Sequence, residues 1–515
     1  MTSTTPPLGL TKYAFTLMGW LGLLGLCLPL VMPLLDTTWY LTSSLCLIGV
    51  GVVGYSWQQY LGQSPGIKNN GVFHKSLSAR GLGGWSLGVV LTAFYIALYF
   101  YPEWLGYRKE GTSIGLIAFF DPLSRFLNGQ PASQWFVYGV LYTLAILVFG
   151  VKFLFKYRHS RYQQWRTLST MFFQLGFAFL IPELLALLHP DTPYFSKDLK
   201  NMWPLNYYFF EDWHLLNMLN GGNLGLFFLG FGLLLIFVIS PFLTYRYGKR
   251  WYCSWVCGCG ALAETAGDPF RQLSSTKLSV WKLERWMIHA VLVFVTLTTL
   301  AVLWTFLGSA NNPTFFDRSL FTMIAVIFFS ILFSGLWYWK RKDMDPDARY
   351  SLVSIGIILV GLLSIQFFSG NDNLLGFSSY SIREWYGFGV GAVFSGVLGV
   401  GFYPLLGSRV WCRFGCPMAA ILGLQQRLFS RFRITTNGGQ CISCGNCSTY
   451  CEMGIDVRSY AQKGQNIVRS SCVGCGICAE VCPRGVLKLE NGAVTNRTEI
   501  PNYPLGHLME SNNDQ

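Results

Sequence analysis

Ten stretches of this chain are apolar for about 20 residues, the length a helix needs to cross a bilayer core, and no other feature restricts the fold as much. They lie at about 13–35, 38–61, 83–104, 134–155, 167–188, 223–245, 286–308, 320–340, 350–369 and 384–407. In hydrocarbon every backbone N–H and C=O must find its partner within the protein, so these stretches predict a polytopic, mainly α helical bundle of about ten spans. Composition agrees, with 52% of residues hydrophobic and 12% charged against about 25% charged in soluble domains. The first stretch is too long for a signal-peptide core and lacks a small-residue cleavage site, so it is expected to be retained.

The net charge of +13 does not point to nucleic acid, because the cations sit in short groups beside apolar runs rather than along one basic stripe. Lys156, Arg158, Arg161 and Arg166 follow the fourth run; Arg246, Lys249, Arg250 and Arg271 the sixth; Lys340, Arg341, Lys342 and Arg349 the eighth. Lys and Arg collect in cytoplasmic loops, which puts these three connections on one side. The connection 189–222 carries Asp191, Asp198, Glu211 and Asp212 against Lys197 and Lys200 and fits the other side. With ten spans, both termini are expected in the cytoplasm. Four regions follow: a first membrane region 1–222, a second 223–425, a soluble domain 426–490 and a polar tail 491–515.

Of 15 cysteines, thirteen fall in tight clusters at metal-ligand spacing, which favours metal over disulfide in a reducing compartment. Cys27 and Cys46 stand alone and are expected to be small buried residues. Two-residue gaps join Cys441, Cys444 and Cys447, and Cys451 follows after three; Cys472, Cys475, Cys478 and Cys482 repeat the pattern, closed by Pro483. In two-cluster bacterial ferredoxins three thiolates of one run hold one cluster and the fourth reaches across to the other. Cys441, Cys444, Cys447 and Cys482 are therefore assigned to one 4Fe-4S cluster, and Cys472, Cys475, Cys478 and Cys451 to a second. Gly445, Gly474 and Gly476 suit the compact loops this requires. Four thiolates also suit zinc, but the spacing and the final proline favour iron and sulfur. One departure stands out: Glu452 follows Cys451 where proline is expected.

A weak internal repeat carries a second signal. Arg250 precedes Cys253 by three residues and Cys257 follows it by four; Arg409, Cys412 and Cys416 repeat the arrangement. Residues four apart share a helix face, so each pair can present two thiolates to one point, for a third cluster or metal or for dithiol chemistry; inert packing is the alternative. Cys259 reads either as a spare ligand or as a packing residue. Among six histidines only His289 lies well inside a span, and a bis-histidine haem needs two, so no intramembrane haem is expected. Glu183, at the outer end of the fifth span, is a functional candidate by its depth. With Glu211, Asp212 and His214 in the next loop it makes a possible quinol site, although an aromatic belt with solvated acids explains that loop as well.

These motifs resemble the NosR and NapH family of membrane iron-sulfur proteins, whose members pair two Cys-x3-Cys-Pro motifs with a two-cluster ferredoxin domain; the resemblance covers about 225–485 and extends to CcoG-type proteins. It implies electron transfer between the quinone pool and a respiratory reductase, in nitrous oxide or other nitrogen-oxide respiration. A maturation factor that reduces copper or a disulfide for a respiratory oxidase or reductase is the alternative, and a redox sensor is a third. The chain departs from the family in having Gly258 where the first motif's proline would stand. It also lacks a Ser/Thr-Gly-Ala-Thr flavin-attachment signature, so no covalent FMN is expected. No phosphate-cradling motif supports a nucleotide-dependent enzyme.

Overall fold

The computed structural model describes residues 10–32, 36–61, 80–109, 112–190, 209–309, 317–342, 344, 346–369, 373–374 and 377–492. Among these, nine helices are long and apolar enough to cross a membrane: Thr11–Leu30, Thr37–Tyr60, Leu82–Phe100, Gln134–Lys156, Arg161–Leu188, Gly222–Tyr247, Leu278–Leu307, Arg318–Lys340 and Arg349–Gln366. Several start on a side-chain cap. Ser133 accepts from the Phe136 N–H, Ser160 from Gln163 and Asp317 from Leu320, each satisfying a backbone donor that the first turn leaves open.

The stretch expected as a tenth span is also helical, as Ser379–Tyr386 followed without a break by the π-helical Gly387–Gly401. Its first eight residues, with Arg383 and Glu384, are polar, and the glycines of the apolar remainder serve packing. A Cβ on Gly396 would meet the Tyr95 ring at 1.9 Å and one on Gly401 would meet Thr92 at 2.2 Å, so the third span lies directly against this helix. Small residues at such crossings let helices approach closely where lipid offers no hydrophobic drive. Replacing Gly396 by Leu is expected to cost about 1–3 kcal/mol, read as a lowered melting temperature in detergent.

Large apolar side chains such as Trp20, Phe227 and Ile331 point outward along the spans, as a lipid-facing surface requires. Cys27 and Cys46 are on this outer surface too and not in the core, because in lipid a weakly polar thiol gains little from burial. The polar tail from 493 onward, and Asp191, Lys197, Asp198, Lys200 and the aromatic stretch 203–208 of the acidic connection, lie outside the described residues.

Helix Pro417–Phe429 leads from the membrane region into the cysteine-rich domain. There Phe432–Thr436 pairs antiparallel with Leu487–Asn491, Ile434 opposite Leu489. Between these strands the two cysteine runs fold as loops, each followed by a one-turn helix, Asn446–Thr449 and Ile477–Glu480. Gly445, Gly474 and Gly476 adopt φ of +80°, +65° and +79°, the left-handed conformation that lets the loops turn inside the sulfurs.

The cysteine-rich domain is not hung on a tether. Its core residues Phe432, Ile434, Val473 and Ile477 form one continuous cluster with Phe153 and Tyr157 at the end of the fourth span and with Cys253 and Cys412. The loop at 472–475 is clamped through its backbone carbonyls: Gln426 donates to Cys472 at 2.9 Å, Ser254 to Val473 at 2.9 Å, Tyr162 to Gly474 at 2.9 Å and Gln163 to Cys475 at 2.9 Å.

Candidate cluster-binding site

Cys441, Cys444, Cys447 and Cys482 together line one crevice, walled by Pro483 and Val486. Cys451, Cys472, Cys475 and Cys478 gather as a second group. Burial pushes the Cys478 thiol well up, and the neighbouring sulfurs of Cys475, Cys472 and Cys451 add to it. Burial likewise raises Cys451 and Cys475 to about 12, and Cys447 to about 11 with Cys482, Cys444 and Cys441 against it. The sulfurs of the second group, crowded away from water, are costly as bare thiolates, and coordination to iron relieves that cost. Two sets of four soft donors, each set in one place, therefore fit two 4Fe-4S clusters, which when bound supply one-electron couples.

The two Cys-x3-Cys motifs converge, although not in the predicted way. Neither pair shares a helix face. Cys253 ends helix Arg250–Cys253 and Cys412 lies in the π-turn Trp411–Gly415, whereas Cys257 and Cys416 are the extended N-cap residues of helices Gly258–Thr265 and Pro417–Phe429. The residue before a proline avoids helical conformation, and proline suits the first helical position, which explains the break at Cys416. Gly258 at the equivalent position leaves Cys257 in the same extended conformation, with φ −66° beside −82° for Cys416, so the missing proline does not alter the local fold.

As N-caps, both sulfurs face helix N-termini, whose amides favour negative charge. Cys416 Sγ accepts from the Ala419 N–H at 3.4 Å. The Cys259 thiol donates to Cys257 and, with the Gly260 amide, lowers Cys257 to about 6, while burial holds Cys253 at about 12. Cys253 feels Cys257 and Cys412, Cys416 feels Cys412, Cys253 and Cys257, and Cys259 feels Cys257 and Cys412. Both halves of the repeat thus contribute thiols to a single group beside the membrane region.

Between this group and the ferredoxin cysteines lies a buried charge network that spacing arguments did not find. Arg409 Nη1 is 3.6 Å from Cys412 Sγ, and its Nη2 is 2.6 Å from Glu264 and 3.0 Å from Glu452. Arg271 binds Glu452 and Asp268, each at 2.8 Å; Arg166 binds Glu264; Lys156 binds Asp268 at 2.5 Å. Oxygens of Glu264 and Glu452 and the Sγ of Cys475 lie within 4.8 Å of one another. The exception after Cys451 has its explanation here: Glu452 is 0% exposed and joins the ferredoxin loop to two arginines of the membrane region. Arg166 and Arg271, counted above as loop cations that report topology, are 0% and 1% exposed and belong to this network.

Burial alone would raise the Asp268 carboxyl, but Lys156 and Arg271 override it and hold it well below the ordinary carboxylate range. A depressed carboxylate contributes stability above its unfolded value of about 4 and loses it as pH falls toward the folded value. Melting temperatures of the wild type are therefore expected to fall from about pH 4 downward more steeply than those of Asp268→Asn.

The four residues of the possible quinol site lie on two helices, Glu183 on Ile181–Leu188 and the other three at the start of Asp212–Asn220. Glu183 is buried and accepts from Asn128 Nδ2 at 2.6 Å. Glu211 stands at the start of helix Asp212–Asn220, accepts from Trp213 Nε1 at 3.1 Å and faces Arg383, whereas His214 packs against the Phe209 carbonyl at 3.2 Å. Asp212 lies beside Glu211 in that first turn.

A family model described as a 4Fe-4S dicluster domain matches residues 440–487, and one described as a 4Fe-4S binding domain matches twice, at 229–279 and 388–435, once over each Cys-x3-Cys motif. The chain is a multi-helical protein with ferredoxin-type 4Fe-4S domains. It is similar to a protein of Escherichia coli (strain K12) named "Putative electron transport protein YccM", 24% identical over 232 residues that make up 45% of this chain and 48% of that protein. The chain thus spans about half the length of that relative. No solved structure matches it.

Proposed function

We propose that the protein relays electrons across the face of a bacterial inner membrane, between the quinone pool and a respiratory reductase. Cys253, Cys257, Cys412 and Cys416 hold a third metal centre nearest the membrane, and the ferredoxin domain, with the cluster assignments given above, is the exit. The observation that carries this reading is contiguity. Arg409 touches Cys412 on one side and Glu452 on the other, and Glu452 adjoins Cys475. The printed name of the Escherichia coli relative points to electron transport as well, and the resemblance to NosR and NapH proteins suggests nitrogen-oxide respiration as the setting. The basic connections support a cytoplasmic ferredoxin domain and cytoplasmic termini, with helix 379–401 as a tenth crossing.

Iron analysis and EPR of the purified protein test the reading. About twelve iron atoms per chain are expected, falling to about eight in the double variant Cys412→Ser, Cys416→Ser with the ferredoxin signals unchanged. About eight in the wild type would remove the third centre, and zinc without iron would end the proposal.

A second reading, reduction of copper or a disulfide during assembly of an oxidase or reductase, draws on the hydrogen-bonded pair Cys257 and Cys259, since the Cys259 thiol and the Gly260 amide lower the Cys257 thiol and so favour its nucleophilic form. Under that reading the same double variant retains quinol oxidation and loses metal insertion.

A further inference from the structure

The charges of the ferredoxin domain are sorted by side. Within 426–490 eight Lys and Arg stand against four Asp and Glu. Two of the acids are turned toward the membrane region: Glu452 lies in the buried network, and Glu480 accepts from Ser160 Oγ at 2.6 Å and lies 3.9 Å from His159, both in the connection after the fourth span. Asp456 accepts from Ser448 Oγ at 2.8 Å, and Glu490 lies 3.8 Å from Lys488. Arg458, Lys463 and Arg484, by contrast, are exposed and have no carboxylate partner among the described residues.

These cations gather at the loop that covers the first cysteine group. Arg458 and Arg484 line the crevice of Cys441, Cys444, Cys447 and Cys482. A Cβ on Gly445 would meet Arg458 Nη1 at 3.8 Å, so this guanidinium lies against the turn between Cys444 and Cys447. Lys463 follows Gln462, whose Nε2 donates to Ser443 Oγ at 2.7 Å. That bond steadies the tip of the loop, where Ser443 holds φ +60°, a left-handed conformation uncommon outside glycine. Beside it Ile442 is 56% exposed, and Cys444 and Pro483 are exposed as well. The result is a small apolar platform edged by Arg458 and Arg484, with Lys463 next to it. None of the residues lining the crevice takes part in the bonds that clamp the 472–475 loop to the membrane region.

We propose that this platform is the docking site of a soluble redox protein with an acidic face, whose carboxylates meet Arg458, Arg484 and Lys463 around a contact on Ile442. Redox encounters use small interfaces, and opposite charge across them steers the approach and rejects partners of like charge. Unpaired guanidinium groups offer a carboxylate two parallel hydrogen bonds, which a point cation does not. Every residue lining the crevice belongs to the ferredoxin domain, and the domain's clamped face is another loop, so the platform is open to a protein rather than turned to the spans. The proposal names a partner for the electron-relay reading and rests on it only for that partner being a redox protein; docking is read by binding alone.

The test is binding of a flavodoxin, a small acidic redox protein, to the full chain in phosphatidylcholine nanodiscs, followed by interferometry. Saturable binding of one flavodoxin per chain is expected, its affinity falling about tenfold or more between about 50 and about 250 mM salt. The double variant Arg458→Glu, Arg484→Glu is expected to weaken it about tenfold or more, and so is Ile442→Asp, with iron content and EPR as in the wild type. Arg341→Glu, Lys342→Glu makes the same change of charge on the exposed connection after the eighth span and is expected to bind as the wild type does. Absence of saturable binding would overturn the site, as would equal weakening by the two double variants or tighter binding of cytochrome c, a small basic protein. Displacement of the flavodoxin by short-chain phosphatidylglycerol would assign the cations to anionic lipid headgroups and overturn it too. Wild-type protein that binds flavodoxin and holds no iron would instead sink the relay reading and leave the docking surface.

Discussion

Glu452→Gln will destabilise the docked protein by about 3–5 kcal/mol, although the two side chains have nearly the same shape. Glu452 is fully buried, and its carboxylate is the common acceptor of Arg271 and Arg409. Burial would raise its pKa, but Arg409, Arg271 and Arg166 outweigh this and keep it ionised. Removing that charge leaves Arg166, Arg271, Arg409 and Lys156 facing only Glu264 and Asp268, and an uncompensated charge away from water is what makes breaking a buried pair expensive. Glu452→Pro, which restores the residue ordinarily expected after the fourth cysteine, is predicted to be at least as damaging. Glu490→Gln is the control: its partner Lys488 is exposed and 3.8 Å away, so the change should stay within about 1 kcal/mol. Unfolding in detergent, followed by tryptophan fluorescence, reads all three.

Cys478→Ser and Cys447→Ser will each remove about four iron atoms per chain but differ in what else they disturb. Cys478 belongs to the group whose loop carries the carbonyls gripped by Gln426, Ser254, Tyr162 and Gln163. Loss of that cluster should release the ferredoxin domain from the membrane region and open the 470–476 segment to protease. Cys447 lines the crevice on the far side, so its loss should leave the docking contacts and the protease resistance in place. Equal protease sensitivity in the two variants would show that the clusters are not divided between the loops in this way.

The spacing of the ferredoxin cysteines and the turn glycines between them were legible because both signals are local: a loop must carry its ligands and its left-handed residues within a dozen positions. The spans were legible for the same reason, since hydropathy is summed along the chain. The charge network was not. Arg409 meets Glu264 across 145 residues and Arg271 meets Glu452 across 181, and no periodicity connects them. Two of its arginines were visible only as loop cations, a reading that fixes a side of the membrane and is silent about burial. The helix-face reading of the Cys-x3-Cys pairs failed at Cys257 and Cys416 because each begins a new helix, something Pro417 announces and Gly258 conceals.

The single core shared by the ferredoxin domain and the ends of the spans has a consequence for traffic. A redox module on a linker can swing between donor and acceptor; this one is bolted down, so distances inside the protein are fixed and partners must come to it. The module also has an inside and an outside. Cys472 and Cys478 are buried against the anchor, whereas Cys444 and Ile442 reach the free surface. Whatever exchanges electrons with this protein in solution must dock over that outer loop, and its shape, more than any motion, will decide which partners are served.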